Sequence, residues 1–212
     1  MNTKQTTARR GRPPKVARTN QDTKAELLRS GLELLTKQGF SSSGIDSILK
    51  KVGVPKGSFY YYFDSKEAFG REVIDSYAKY FENKLDTHLL NNASKPLDRL
   101  ANYVNDAKEG MAHYQFERGC LIGNLEQEVT LLPTNYRAQL INVFINWQIK
   151  VATCLREAQD IGEICPSANC SELAELFWIG WEGAVSRARL VQSTTPLTLF
   201  FKHYLKNIKL TN

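Results

Sequence analysis

The sequence predicts an all-α fold: a compact three-helix unit near the N-terminus, joined by a long helix to a larger helical domain. Two observations predict it. Apolar residues recur at helical spacing in segment after segment, and no stretch alternates with the period of two that a half-buried strand requires. A third, the placement of Gly, Pro and Ser at the ends of these segments, divides them into separate helices. With 212 residues and 42% hydrophobic content, the chain can bury one large core or a small domain welded to a medium one. It contains no run of eighteen apolar residues and no apolar stretch behind its basic N-terminus, so neither a membrane span nor a secretory leader is expected, and a cytoplasmic location is. In that compartment Cys120, Cys154, Cys165 and Cys170 are expected to remain thiols.

Residues 1–20 are rich in Gly, Pro, Thr and basic side chains and have almost nothing to bury, so a disordered arm is expected there. Lys4, Arg9, Arg10, Arg12, Lys15 and Arg18 all precede the first acid, Asp22. Those six residues match the formal net charge of +6, and the 22 bases that remain balance the 22 acids. The body is therefore nearly neutral and the positive field sits in the arm, which suits a polyanionic partner or a merely solvated tail.

The first helix is expected from about Asp22 to Gln38, with Ala25, Leu28, Leu32 and Leu35 on one face and Gly39 as its C-terminal stop. A short helix follows from Ser43, where Ser43-Gly44-Ile45-Asp46 has the form of a capping box with a shortened acid, and it ends at Gly53. Pro55 fits the first turn of another short helix, Pro55 to Tyr61. Asp64-Ser65-Lys66-Glu67 reads as a second capping box that opens a long amphipathic helix carrying Phe69, Val73, Ile74, Tyr77, Tyr80, Phe81 and Leu85. Beyond the polar stretch Asn91–Lys95, helices are expected over Pro96–His113, Pro133–Ile161, Glu172–Gln192 and Pro196–Leu210, with a short segment over Gly119–Leu131.

Two helices as short as those between Ser43 and Tyr61, with a tight turn at Gly53, cannot bury a core alone. Packed on the first helix they form a helix-turn-helix unit with Ile45, Ile48, Leu49, Val52, Val54 and Phe59 inward. Pro55, Lys56, Ser58, Tyr60 and Tyr61 are then left outside. A cation, a hydroxyl and phenols supply phosphate contacts and a few base-edge contacts, as a helix entering a major groove needs. The run GFSSSGIDSILKKVGVPKGSFYYYFDSKEAF, Gly39 to Phe69, resembles the signature of the TetR family of repressors. That resemblance implies that Ser43 and Lys66 hold phosphates at helix N-termini, that Lys56 and Tyr61 touch the DNA backbone, and that Pro55 and Ser58 lie over bases. Gly44 and Pro55 stand where the family commonly has hydroxyl residues, so base preference is not readable. Tyr62 and Phe63 read as plugs of the junction with the long helix, and Tyr60 reads equally as plug or as DNA contact.

Arg9-Arg10-Gly11-Arg12-Pro13 resembles an AT-hook, an extended segment whose arginines, here Arg10 and Arg12, seek the negative potential of a narrow minor groove. The domains expected are thus a basic arm (1–20), a helix-turn-helix DNA-binding domain (21–64) and a helical ligand-binding and dimerisation domain (65–212).

In the larger domain, Phe177-Trp178-Ile179-Gly180-Trp181-Glu182-Gly183-Ala184 interleaves aromatics that fill or line cavities with glycines that let helices approach. Cys120, in RGCLIGNL, stands at a helix start and near Arg118, two influences that favour a thiolate; it reads either as a reactive thiol or as a small buried hydrophobe. RGCLIGNL and WIGWEGA, with Arg187 and Arg189, are similar to the acrylate-responsive and N-ethylmaleimide-responsive branches of the family. The resemblance implies a small unsaturated acid or an electrophile as inducer, with Cys120, Asn124, Trp147, Trp178, Trp181, Arg187 and Arg189 as candidate contacts. A carboxylate would welcome Arg187 or Arg189 as a bidentate partner. The resemblance also implies a homodimer made by the last two helices, with Leu197, Phe200, Phe201, Tyr204 and Ile208 between subunits. Two recognition helices would then meet half-sites of a palindromic operator about 34 Å apart.

The function expected is that of a ligand-responsive repressor of double-stranded DNA, needing no cofactor and no metal. An enzyme built on Cys120 is disfavoured because His88, His113 and His203 form no recognisable Cys-His arrangement. Cys165 and Cys170 lack the histidines and spacing of a zinc site. The rival is an architectural DNA-binding protein with no effector, which would bind all A·T-rich duplexes alike.

Overall fold

The computed structural model describes residues 20–209. Nine helices account for most of them, and the only bridge outside helices among these residues is an isolated antiparallel pair, Ile164 with Lys209. The arm, and with it Arg10 and Arg12, lies outside the described residues.

Helix α1 (Asn20–Gln38) buries Leu27 and Leu35 against α2 (Ile45–Val52) and the long helix α4 (Lys66–Leu89). Ile48, Leu49 and Val52 of α2 and Phe59 of α3 (Lys56–Tyr62) complete this small core. The turn between α2 and α3 depends on Gly53, whose φ of 73° lies in the left-handed region that a Cβ disfavours. Pro55 stands one place earlier than expected, as the extended N-cap of α3. The rings of Phe63 and Phe69 lie 5.2 Å from that of Phe59, so the junction with α4 is aromatic. Phe63 is buried and Tyr62 half-buried there.

The capping boxes differ from expectation. Helix α2 starts at Ile45 with Gly44 as N-cap and no side-chain cap, because the Ser43 hydroxyl turns back and donates to the Gly39 carbonyl. At α4 the cap is Ser65 rather than Asp64, its hydroxyl accepting from the Ala68 N–H at 3.0 Å. Along α4, Phe69, Val73, Ile74, Tyr77 and Leu85 face the interior, whereas Tyr80 is 60% exposed.

The larger domain comprises α5 (Pro96–His113), α6 (Leu121–Gln127), α7 (Thr134–Asp160), α8 (Cys170–Val191) and α9 (Thr195–Ile208). Helix α7 packs along α8 and α4, α8 along α9, and α4 against α5. An aromatic cluster fills the centre: the Trp147 and Trp178 rings are 5.0 Å apart and Phe81 is 4.3 Å from Trp147. The glycines of the WIGWEGA run differ in use, since Gly180 makes room for the Phe200 ring and Gly183 faces open space.

Helix α6 ties the two parts together. Asn124 donates to the Thr36 carbonyl at 2.9 Å, and Arg189 of α8 donates to Asn124 Oδ1, Lys37 O and Glu117 O at 3.0, 3.0 and 3.3 Å. The orphan carbonyls at the C-terminus of α1 are therefore satisfied from the larger domain. Glu128, just after α6, accepts from the Ser41 N–H at 2.9 Å.

Candidate functional site

The first candidate surface is the outer side of α2 and α3. Pro55, Lys56, Tyr60 and Tyr61 are exposed and Ser58 half-buried, with Tyr61 at 71%. Phe59 anchors them from beneath, because a seven-residue helix holds its place only through what it packs on. Lys56 sits 3.9 Å from Asp46, an exposed pair too weak to withdraw the ammonium from another anion. Lys50 and Ser47 of α2 share this face. Two expected phosphate contacts belong elsewhere. Ser43 is 2% exposed and its hydroxyl is engaged with Gly39. The Lys66 ammonium donates to the Phe40 carbonyl at 2.9 Å and lies 4.3 Å from the centre of the Phe40 ring, and burial lowers its pKa. It pins the α1–α2 connection. The start of α2 has no side-chain cap, since Ser43 has withdrawn, and the expectation of a phosphate at this helix N-terminus rests on its backbone N–H groups alone.

The second candidate is a cavity of about 510 Å³ lined by α1, α4, α5, α8 and the connection that ends at Cys120, the N-cap of α6, a size that suits a small organic ligand. Leu32, Phe81, Ala107, Met111, Trp181 and Val185 give it apolar walls. Tyr77, Tyr103, Cys120 and Glu182 bring polar groups to it, and Arg29, Glu33, Tyr80, Lys84, Tyr114 and Arg118 are also on the lining. Three enclosed polar atoms have no protein hydrogen-bond partner of ordinary geometry: the Tyr103 hydroxyl, beside which the Trp181 indole lies, Glu182 Oε1 and Arg118 Nε. Enclosed polar groups without partners are costly in a packed core, and their gathering around one void marks it as built to receive something polar.

Of the expected contacts, Cys120 and Trp181 reach this cavity. Trp147 and Trp178 do not, since both are fully buried in the aromatic cluster. Asn124 and Arg189 are committed to the carbonyls of α1 and its neighbours, and Arg187 is exposed to solvent away from the lining. The thiolate expected at Cys120 is also corrected. Burial and the neighbouring Glu182 push the thiol well above its ordinary range, outweighing the Gly123 N–H that Sγ accepts at 3.5 Å as N-cap of α6. Arg118 gives it no help, because its guanidinium pairs with Glu33 at 3.2 Å and stacks 4.2 Å from the Tyr114 ring.

Glu182 is the residue that sequence reasoning passed over. Burial pushes its carboxyl up to about 7, opposed by a hydrogen bond from the Cys120 thiol and aided by the charge of Glu126. Its signal was a lone acid inside an aromatic run, and a buried acid with a displaced pKa in a cleft is a functional candidate. Tyr77 and Tyr103 carried no comparable signal.

The expected dimer residues need revision too. Leu197, Phe201, Tyr204 and Ile208 are buried within their own subunit, and Phe200 packs over Gly180 with its ring 5.8 Å from Phe177. These side chains are the inner face of α9. The apolar residues left open on α8 and α9 are Leu176, Ile179, Leu190, Val191 and Leu199.

Comparison with known proteins agrees with both halves. Residues 27–73 match the model of bacterial regulatory proteins of the tetR family, and residues 96–204 match the tetracyclin repressor-like C-terminal domain. The transcriptional regulator AcuR of Cereibacter sphaeroides is 47% identical over 199 residues, covering 92% of this chain and 89% of its own. The HTH-type transcriptional repressor NemR of Escherichia coli is 28% identical over 90% of this chain and 95% of its own. The crystal structure of a regulatory protein TetR from Rhodobacter sphaeroides superposes with a TM-score of 0.85 at 47% identity, over 87% of this chain and 97% of that one. The chain therefore belongs to the tetR family of bacterial regulatory proteins and is a helix-turn-helix, DNA-binding transcriptional regulator of the repressor type, not an enzyme.

Proposed function

We propose that the protein is a cytoplasmic homodimer that holds a palindromic operator through α3 and releases it when a small unsaturated acid enters the cavity between α1, α4, α5 and α8. Pro55, Lys56, Ser58, Tyr60 and Tyr61 read and grip one major groove per subunit, and the start of α2 receives a phosphate. The arm, with Arg10 and Arg12, follows the adjacent minor groove. The subunits meet through the open apolar faces of α8 and α9, around Leu176, Ile179 and Leu199. The observation that carries this reading is an enclosed void whose lining includes both α1 and α4, the helices that support the reading head.

The effector acts by differential affinity, contributing binding energy to the conformation that does not fit DNA. Two routes lead from the cavity to α3. Tyr77 and Phe81 lie on α4, whose N-terminal end carries Phe69 under Phe59. Cys120 caps α6, and one turn later Asn124 holds the end of α1. A movement of either helix rotates the reading head. A neutral Cys120 thiol favours reversible recognition over covalent capture.

A gel-shift titration with the upstream promoter, repeated with acrylate and with N-ethylmaleimide, tests the proposal. Binding should prefer the promoter palindrome over bulk DNA by at least about a thousandfold and fall when acrylate is added. Equal affinity for every A·T-rich duplex, unaffected by either compound, would instead indicate an architectural protein. Cys120→Ser should respond to acrylate as the native protein does; loss of that response would mean covalent sensing.

A further inference from the structure

We propose that Glu182 and Tyr103 together anchor the carboxyl group of a small monocarboxylic acid, held as an acid–carboxylate pair in which one proton is shared between Glu182 and the ligand. The inference deepens the effector reading above and rests on it.

Glu182 Oε1 and the Tyr103 hydroxyl are both enclosed on the lining of the same cavity, and neither has a protein hydrogen bond of ordinary geometry, the nearest groups being the Cys120 thiol beside Glu182 and the Trp181 indole beside Tyr103. Tyr103 is 0% exposed. The acid has been accommodated by the fold: a side chain at position 123 would overlap its carboxyl group, so Gly123 of α6 is what lets α8 bring Glu182 to this place. No cation among the described residues neutralises it. The groups that face it are Tyr77 from α4, Tyr103 from α5, and Cys120 and Glu126 from α6. Of the cavity's cations, Lys84 lies 2.8 Å from Asp106, Arg118 pairs with Glu33 at 3.2 Å while its Nε keeps an open donor, and Arg29 is exposed to solvent.

An acid so placed is about half protonated near pH 7, and in its protonated form it donates a hydrogen bond instead of only accepting one. A ligand carboxylate brought beside it keeps that proton in place, because two carboxylates in contact cannot both ionise. Tyr103 supplies a second donor to the same ligand group, and Leu32, Phe81 and Val185 cover a short apolar tail. The exposed Arg29 favours an anion over a cation at the entrance. Binding adds a proton to Glu182 when it arrives ionised, so affinity is set by the protonated fraction. The carbon–carbon double bond takes no part in this anchor, so a saturated acid shares it.

Calorimetry of the full-length protein with acrylate and with propionate, from pH 6.0 to 8.5 and in buffers of different ionisation enthalpy, reads this directly. The dissociation constant of each acid is expected to rise toward about tenfold per pH unit above pH 7, with uptake of up to one proton. Glu182→Gln, an amide that still donates, should bind both acids with no such pH dependence. Tyr103→Phe should weaken both, by roughly fivefold or more. A flat profile in the native protein, affinity that improves with rising pH, or a Glu182→Gln profile identical to the native one would overturn the anchor. If acid binding is strong but flat, the effector reading survives without it. If neither acid binds at pH 6.0, both fall. Should Glu182→Gln fail to fold, the native pH profile and proton count still decide.

Discussion

The reading head and the effector cavity are both rich in tyrosine, and they use it in opposite ways. On α3, Tyr60 and Tyr61 stand 50% and 71% exposed above a sealed layer of Phe59, Phe63 and Phe69. Both rings are open to solvent. Around the cavity, Tyr77 and Tyr103 are enclosed and burial raises both phenols far above their usual range. The DNA-facing surface is thus stable without its partner, whereas the cavity contains enclosed polar atoms that a ligand would satisfy. A surface of the first kind is altered without disturbing the fold, and a site of the second kind couples ligand, protonation and conformation.

The sharpest way to break this contrast is to remove the layer under the reading head. Phe59→Ala takes away a fully buried ring that meets Phe63 and Phe69, at a cost of about 3–5 kcal/mol. Operator binding should disappear and the thermal melt should fall, although Lys56, Tyr60 and Tyr61 are untouched. A variant that melts normally and still binds DNA would show that α3 does not depend on that layer.

The contrast also explains what was legible in the sequence. The reading head is local: a thirty-residue run contains its caps, its turn glycine and its core, so the exposure of Pro55, Lys56, Tyr60 and Tyr61 follows from helical periodicity. Its errors were those of side-chain choice. Ser43 has the right type and spacing for a cap, but a hydroxyl can equally turn back to a carbonyl four residues earlier, as it does with Gly39. Lys66 found an acceptor in Phe40, 26 positions away, which periodicity does not reveal. The cavity draws its lining from four helices and the turn before α6. Which tryptophan reaches the void, Trp181 rather than Trp147 or Trp178, depends on how α8 is rotated against α7. For the same reason the inner and outer faces of α9 were exchanged: Leu197, Phe201 and Tyr204 had the apolar pattern of an interface, but their own subunit buries them.

Arg189 lies between the two regions and offers a finer test. It touches the C-terminal end of α1, Asn124 and the connection before α6, and it does not line the cavity. Arg189→Ala should therefore leave acid binding by calorimetry almost unchanged while reducing the effect of the acid on operator affinity. Allosteric coupling of this kind amounts to about 1–3 kcal/mol, so a loss of several-fold in the DNA response is expected. Undiminished coupling would assign the signal to α4 alone.

The smallest effect is expected at Lys56. Its ammonium is exposed and its pairing with Asp46 at 3.9 Å contributes almost nothing to stability, so Lys56→Ala should melt with the native protein to within about 0.5 kcal/mol. If the side chain grips a phosphate in each half-site, operator affinity drops at low salt, and the slope of log affinity against log salt becomes shallower by about one per subunit. Had Lys56 touched a base edge instead, the loss would fall on particular operator positions and the slope would change little. Measuring affinity for two operator sequences at two salt concentrations separates these outcomes, and an unchanged affinity under all four conditions would remove Lys56 from the DNA-reading surface.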